Sequence, residues 1–172
     1  MLISRNAHVC KRRERSIGDA CMSDGEATGV GASLERLRRV SPEWDLYAAR
    51  AATMSELARS SIQAITSAPK LSKERFEAAD AAEQRAHVAL QWLDEHACPD
   101  RELGRMLNRL TRAELALAAK LKSDIPSDRA MSVIWYRHLQ DLGSEYTAST
   151  KGFAHRVWEL AASLPEDGVR PR

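Results

Sequence analysis

The chain has 172 residues, of which 44% are hydrophobic and 29% are charged, so it is long enough for one domain with a sizeable core. Its formal net charge of +2 is concentrated in residues 1–21, which carry five basic and two acidic side chains and leave a net charge of −1 on the remainder. This balance argues against a general binder of phosphate backbones.

The three cysteines, Cys10, Cys21 and Cys98, have unrelated spacings and form no zinc or disulfide pattern. Since the chain has neither a long apolar run nor a secretory signal, we expect a cytoplasmic protein that does not associate with membranes.

The N-terminal region, residues 1–32, is predicted to be a disordered leader, basic at its start and rich in glycine at its end. The stretch "MSDGEATGVGAS" contains three glycines and almost no large apolar residue, a composition that cannot supply a core. Met22 is a second possible start of translation. Residues 166–172 are predicted to be a flexible tail, so the folded domain is expected to span residues 33–165.

After a short helical run, "SLERLRRV", four long helices are predicted, because apolar residues recur at spacings of three and four. The helices cover about residues 41–67, 72–97, 100–124 and 128–164. Capping residues mark their starts at Ser41, which Pro42 follows, Ser72, Asp100 and Ser127. Gly143 and Gly152 could kink or split the last helix, because glycine costs about 1 kcal/mol relative to alanine inside a helix.

The short connections between these helices favour antiparallel packing of neighbours. We therefore predict an all-α protein, an up-down antiparallel four-helix bundle with a disordered N-terminal leader. The capping residues recur at intervals of 31, 28 and 27 residues, which leaves a helical-hairpin repeat as the alternative.

Four arginines recur nearly once per turn in the predicted helix 100–124, at Arg101, Arg105, Arg109 and Arg112. On a helical projection they lie opposite the leucines of the same helix, which is typical of a solvent-exposed face. A docking surface for an acidic protein and a nucleic-acid site are the alternatives. No aromatic residue is interleaved with the arginines to stack on bases, so nucleic acid is the least favoured partner.

Three titratable residues fall within the apolar stripes, namely Glu83, Glu114 and His138. Counting about 1.5 Å per residue from the shared loops places all three near the middle of the bundle. A buried carboxylate needs a hydrogen-bond network, a raised pKa or a cation. The three residues therefore define a candidate site for a divalent transition metal such as zinc, manganese or iron, or for another ligand. Polar residues at the helix boundary are the plainer interpretation.

Large apolar residues also lie away from the predicted core, at Val88, Trp92 and Trp158. Such residues commonly mark a contact with a partner or with a second copy of the chain. The alternative is that the leader, or the short helical run before Ser41, covers them.

No catalytic fingerprint is apparent, because Cys98 lies beside Pro99 at a predicted helix end and no glycine-rich phosphate loop follows a strand. We therefore predict a non-enzymatic helical bundle that binds or regulates through protein contacts, including self-association, on the face of Val88 and Trp92. A bundle that binds a metal or a small ligand with Glu83, Glu114 and His138 is the alternative. Weak nucleic-acid binding ranks third.

Overall fold

The computed structural model describes residues 24–70 and 72–165 of the chain. These residues form five α-helices and one short 3-10 helix, Pro42–Trp44, and contain no strand. The helices are α1 Asp24–Val40, α2 Asp45–Ser67, α3 Lys73–Glu95, α4 Arg101–Lys122 and α5 Arg129–Ala162. The prediction of an all-α protein is confirmed, but the count over these ranges is five helices rather than four. None of these five helices has the length and hydrophobicity that a membrane crossing needs.

Helix α1 is the main departure from the prediction, because residues 24–32 belong to a helix and not to a disordered leader. Val30, Leu34 and Leu37 of this helix are buried, and α1 packs against both α2 and α5. Burial of this apolar stripe offsets the low helix propensity of its glycines. Residues 1–23 and 166–172, which include the rest of the predicted leader and the predicted tail, lie outside the described residues.

The other four helices pack against their neighbours in the chain, α2 on α3, α3 on α4 and α4 on α5. Contacts between α4 and α5 join the end of one helix to the start of the other. Trp135 Nε1 donates to Ser123 Oγ at 2.9 Å near one end, and Arg156 Nη2 donates to Asp100 Oδ2 at 2.7 Å near the other. The two helices are therefore antiparallel. Helix α5 runs through Gly143 and Gly152 as one element of 34 residues.

The core is built mainly from α2, α4 and α5, and the last of these buries Trp135, Leu139, Tyr146, Phe153 and Val157. In the segment 41–67 the apolar residues that recur at spacings of three and four are all buried, namely Trp44, Tyr47, Ala51, Met54, Ala58, Ile62 and Ile65. In α4 the buried leucines are Leu103, Leu107, Leu110, Leu117 and Leu121. Each large aliphatic side chain buried in this way contributes about 1.5–3 kcal/mol, so the buried stripes of the three helices supply much of the stability of the fold.

The helix caps follow the prediction at two positions and differ at two. The side chains of Ser72 and Asp100 accept hydrogen bonds from backbone amides three residues ahead, at 3.1 and 2.7 Å. The last helix is capped by Asp128 and not by Ser127. Ser41 makes no side-chain cap, because it precedes the 3-10 turn that carries the chain into α2.

The buried face of helix α3 is rotated slightly relative to the apolar stripe that the spacing predicts, which consists of Phe76, Ala79, Ala86, Leu90 and Leu93. The buried residues are Arg75, Ala79, Ala82 and Ala86, so Ala79 and Ala86 lie where the spacing predicts, whereas Phe76 is 52% exposed. Alanines on the buried face allow α3 to lie close to α2 and α4. The rotation places Glu83 at the edge of the bundle.

Candidate functional site

The predicted layer of Glu83, Glu114 and His138 does not form. A carboxylate oxygen of Glu83 lies 2.8 Å from Lys122 Nζ at the edge of the bundle, and His138 is exposed on α5. Only Glu114 is buried, with 5% of its surface exposed. Within residues 24–70 and 72–165, no group of three His, Cys, Asp or Glu side chains could hold a metal ion. Glu83 lies at the edge because α3 is rotated relative to its predicted orientation. His138 lies outside the buried face of α5.

The three candidates for a partner surface have different environments. Trp92 stacks on His96 with ring centroids 4.4 Å apart and contacts Tyr47 at 5.4 Å, so it is part of the fold. Trp158 lies against α1, where a methyl group added at Gly29 would be 3.5 Å from its indole nitrogen. Val88 is 58% exposed. Trp158 is nevertheless 37% exposed, so its contact with α1 leaves part of the side chain open to solvent.

The four arginines of the basic face are all exposed on α4. Arg109 lies 3.8 Å from a carboxylate oxygen of Glu145 on α5, and Arg112 donates to Asn108 Oδ1 at 2.7 Å. Two of the four arginines are thus partly engaged within the fold.

A cavity of about 310 Å³ lies between α2, α3 and α4, and we call it the Glu114 cavity. Met54, Leu57, Val88 and Ala89 give it apolar walls. Leu57 and Val88 are 42% and 58% exposed, and the cavity is partly open to solvent beside them. The polar lining comes from Arg50, Thr53, Gln84, Arg85, Thr111 and Glu114.

Glu114 belongs to the leucine side of α4, between Leu110 and Leu117, and for that reason it points inward. Its Oε1 atom is buried and has no hydrogen-bond partner among the described residues. Burial raises the pKa of Glu114 to about 7, although the charge of Arg85 and the hydroxyl of Ser61 lower it in part. Around neutral pH this carboxyl group can therefore either donate or accept a hydrogen bond.

Two guanidinium groups accompany this carboxyl group. Arg50 holds its guanidinium 5.9 Å from the Trp92 ring centroid, and its buried Nε has no hydrogen-bond partner among the described residues. Arg85 donates from Nη2 to Ser61 Oγ. Within the described ranges neither arginine has a carboxylate oxygen within 4.0 Å. The ionisable residues that line the cavity thus give it an excess of positive charge whether Glu114 is ionised or not.

Comparisons of the chain with protein-family models, curated proteins and solved structures find no match.

Sequence reasoning found Glu114 but missed Arg50 and Arg85. Both arginines flank buried positions, since Arg50 precedes Ala51 and Arg85 precedes Ala86. That adjacency to the apolar stripes was the available signal. It could not show that the two side chains converge on one cavity, because this depends on how three helices are rotated relative to one another.

Proposed function

We propose that this protein is a non-enzymatic binding module that takes up a small apolar carboxylic acid in the Glu114 cavity. The observation that carries the proposal is that Arg50 Nε and Glu114 Oε1, on two residues lining one cavity, are both buried without hydrogen-bond partners. A buried polar atom without a partner costs about 1–3 kcal/mol, so a ligand that bonds to both atoms would gain this free energy.

The charge of the cavity favours an acid over an amine. A carboxylate forms charge-assisted hydrogen bonds with guanidinium groups, and here it would meet those of Arg50 and Arg85. Protonated Glu114 would donate a further hydrogen bond to the same group. A protonated amine would instead face two positive charges.

The apolar walls and the volume set the size of the molecule. Met54, Leu57 and Val88 offer contact to a hydrocarbon body. The volume of about 310 Å³ is at the lower end of the range of roughly 300–1,000 Å³ found for small-molecule sites. A short-chain fatty acid or an acid with one aromatic ring fits this description.

Calorimetric titration at neutral pH tests the proposal, with hexanoate and benzoate as probes and hexanol and hexylamine as comparators. We expect the two acids to bind saturably, and Arg50→Met to weaken them roughly tenfold or more, as expected for a lost charge-assisted hydrogen bond. Arg59→Met is the matched control, because Arg59 lies on the same helix, outside the cavity, and pairs with Glu56 at 2.8 Å.

Two results would overturn the proposal. One is binding of hexanol or hexylamine with the same affinity as the acids, which would show that the charge of the cavity does not discriminate between these ligands. The other is the absence of saturable binding by either acid at millimolar concentration, which would leave water as the only occupant of the cavity.

Contact between two copies of the chain is a second candidate function, favoured by the joint exposure of Leu57 and Val88 at 42% and 58%. Two such apolar rims could cover each other in a symmetric dimer. Light scattering of the wild-type chain should then show a dimer, and Val88→Asp should convert it to a monomer. A monomeric wild-type chain would contradict this candidate. Trp92 is unsuited to the test, because its substitution would disturb the packing between α2 and α3.

A further inference from the structure

A second cavity lies at the corner where α3 ends and α4 begins, and we call it the corner cleft. It has a volume of about 410 Å³ and shares no lining residue with the Glu114 cavity. Its lining consists of Tyr47, Leu93, His96, Ala97, Cys98, Arg101, Gly104, Arg105 and Asn108. This set combines several hydrogen-bond donors with one apolar wall.

Arg101 and Arg105 supply the positive charge of the corner cleft. They lie one turn apart on α4, both are exposed, and both line the cleft. Neither has an ion pair with any residue of the described ranges, in contrast to Arg109, which lies 3.8 Å from Glu145. The basic face of α4 therefore has two parts that differ in ion pairing. Its first two arginines border the same cleft, and their guanidinium N–H groups are available to a ligand.

One further side chain, that of Asn108, adds a donor. The side-chain oxygen of Asn108 accepts from Arg112 at 2.7 Å, which leaves the amide NH₂ group of Asn108 available to donate. His96 Nδ1 lies 2.9 Å from the carbonyl oxygen of Trp92. Because a carbonyl oxygen only accepts, Nδ1 carries the hydrogen in this bond, and that hydrogen is not available to a ligand.

The acidic groups near the cleft are held by other partners. The Asp100 carboxylate accepts from Leu103 N and from Arg156 Nη2, both at 2.7 Å. Glu102 lies 3.9 Å from Arg156, and Glu95 accepts from the Gln91 amide at 3.1 Å. The positive end of the α4 dipole points toward the same corner. An anion in the cleft would thus meet donors and little opposing charge.

The shape of the cleft depends on Gly104. A methyl group at this position would lie 2.8 Å from Cys98 Cβ, so only glycine lets α4 approach Cys98 this closely. Burial raises the pKa of the Cys98 thiol, and the thiol therefore adds no negative charge at neutral pH. Tyr47 and Leu93 complete an apolar wall beside the arginines.

We infer that the corner cleft is a binding site for a small phosphate monoester, with the phosphate group on Arg101, Arg105 and Asn108 and the organic group on the wall of Tyr47 and Leu93. A phosphate group has three acceptor oxygens and nearly two negative charges, which match several converging donors better than a single carboxylate does. The inference is independent of the ligand proposed for the Glu114 cavity.

Titration of the full chain with phenyl phosphate, followed by calorimetry or by amide chemical shifts, tests this inference. We expect saturable binding that weakens about tenfold or more in Arg105→Gln, which removes a charge-assisted contact. Arg109→Gln removes the same charge one turn further along α4, outside the cleft, and should leave the affinity within about twofold, as expected for an exposed charge partly screened by salt. Arg59→Met should also bind normally, because Arg59 lines neither cavity.

Inorganic phosphate and a short single-stranded oligonucleotide complete the experiment. Weaker binding of inorganic phosphate would support a contact of the organic group with the apolar wall, and equal binding would overturn the monoester assignment. Equal weakening by Arg105→Gln and Arg109→Gln would indicate a diffuse basic face and overturn the site. Tighter binding of the oligonucleotide than of phenyl phosphate, or no binding of phenyl phosphate at millimolar concentration, would overturn it as well.

Discussion

The Glu114 cavity and the corner cleft both use arginines without ion pairs, but they differ in the access of water. In the cavity, Glu114 is 5% exposed and its pKa is raised by burial to about 7. At the corner, Arg101 and Arg105 are exposed, and Asp100 has a lowered pKa because it accepts hydrogen bonds from Arg156. Desolvation governs the first region, and solvent-exposed charge governs the second. The first should therefore respond mainly to pH and the second mainly to salt.

The largest expected effect comes from Glu114. Because its pKa is raised in the folded state, protonated Glu114 is the favoured form in the fold. The free energy of unfolding should therefore fall as pH rises from the ordinary value of 4.5 through about 7. The total loss should be about 3 kcal/mol. Glu114→Gln should abolish this loss and be more stable than wild type above neutral pH, as measured by denaturant unfolding across that interval.

The exposed variant Glu77→Gln serves as the control for Glu114, since Glu77 takes part only in a surface pair with Lys73. Its unfolding curve should keep the wild-type pH dependence. Parallel pH profiles for wild type and Glu114→Gln would contradict the account of the cavity given above.

Gly104 should give the next largest effect. Gly104→Ala places a methyl group 2.8 Å from Cys98 Cβ, and such overpacking costs about 1–3 kcal/mol. Gly152→Ala in α5 is the matched comparison, because within the described part of the chain no atom beyond the adjacent residues and the nearby backbone of α5 lies within 4 Å of the added methyl group. That variant should gain about 0.5–1 kcal/mol from better helix propensity. Thermal unfolding of the two variants should therefore show shifts of opposite sign, and a stabilised Gly104→Ala would refute the close approach of α4 to Cys98.

Asp100 should show a pH dependence opposite to that of Glu114. Its pKa lies below the ordinary 3.8, so its contribution to stability is present above that value and is lost as pH falls through the lowered pKa. Asp100→Ala removes the cap of α4 and should cost about 1–2 kcal/mol at neutral pH. The difference from wild type should shrink in acid. An undiminished difference at low pH would show that the ion pair with Arg156 contributes nothing.

The smallest expected effect is that of Arg105 on stability. Because Arg105 is exposed and has no ion pair in the described ranges, Arg105→Gln should change the free energy of unfolding by no more than about 0.5 kcal/mol. Its binding of phenyl phosphate should nevertheless be impaired, and the wild-type affinity should fall with added salt. A large loss of stability in Arg105→Gln would mean that Arg105 stabilises the fold and that its guanidinium group is not available to a ligand.

The helices differ in how well their patterns predict burial. In α2 and α4 the buried face carries large apolar residues such as Ile62 and Leu107, and the 3.6-residue period identifies it without ambiguity. This is why the inward position of Glu114 was predictable. The buried face of α3 consists largely of alanines, whereas Phe76 remains exposed. A hydrophobic pattern weighted by large residues is therefore shifted toward Phe76, and it places Glu83 too far inside the fold.

Neither helix α1 nor the two cavities could be predicted from local sequence patterns, because they depend on tertiary contacts. The glycines of α1 indicate a flexible segment, and only packing against α2 and α5 makes burial of Val30 and Leu34 favourable. The convergence of Arg50, Arg85 and Glu114 requires the orientation of three helices at once. Local spacing contains no information of this kind.

The attachment of α1 has a consequence for the order of folding. Arg36 Nη2 donates to the carbonyl oxygen of Leu164, 128 residues away in sequence, at 3.3 Å. The hairpins α2–α3, α3–α4 and α4–α5 are local and can form soon after their own residues leave the ribosome. The surface against which α1 packs is complete only when the end of α5 has been synthesised. Since non-local contacts form late, α1 should dock last and be the first helix to exchange its amide hydrogens.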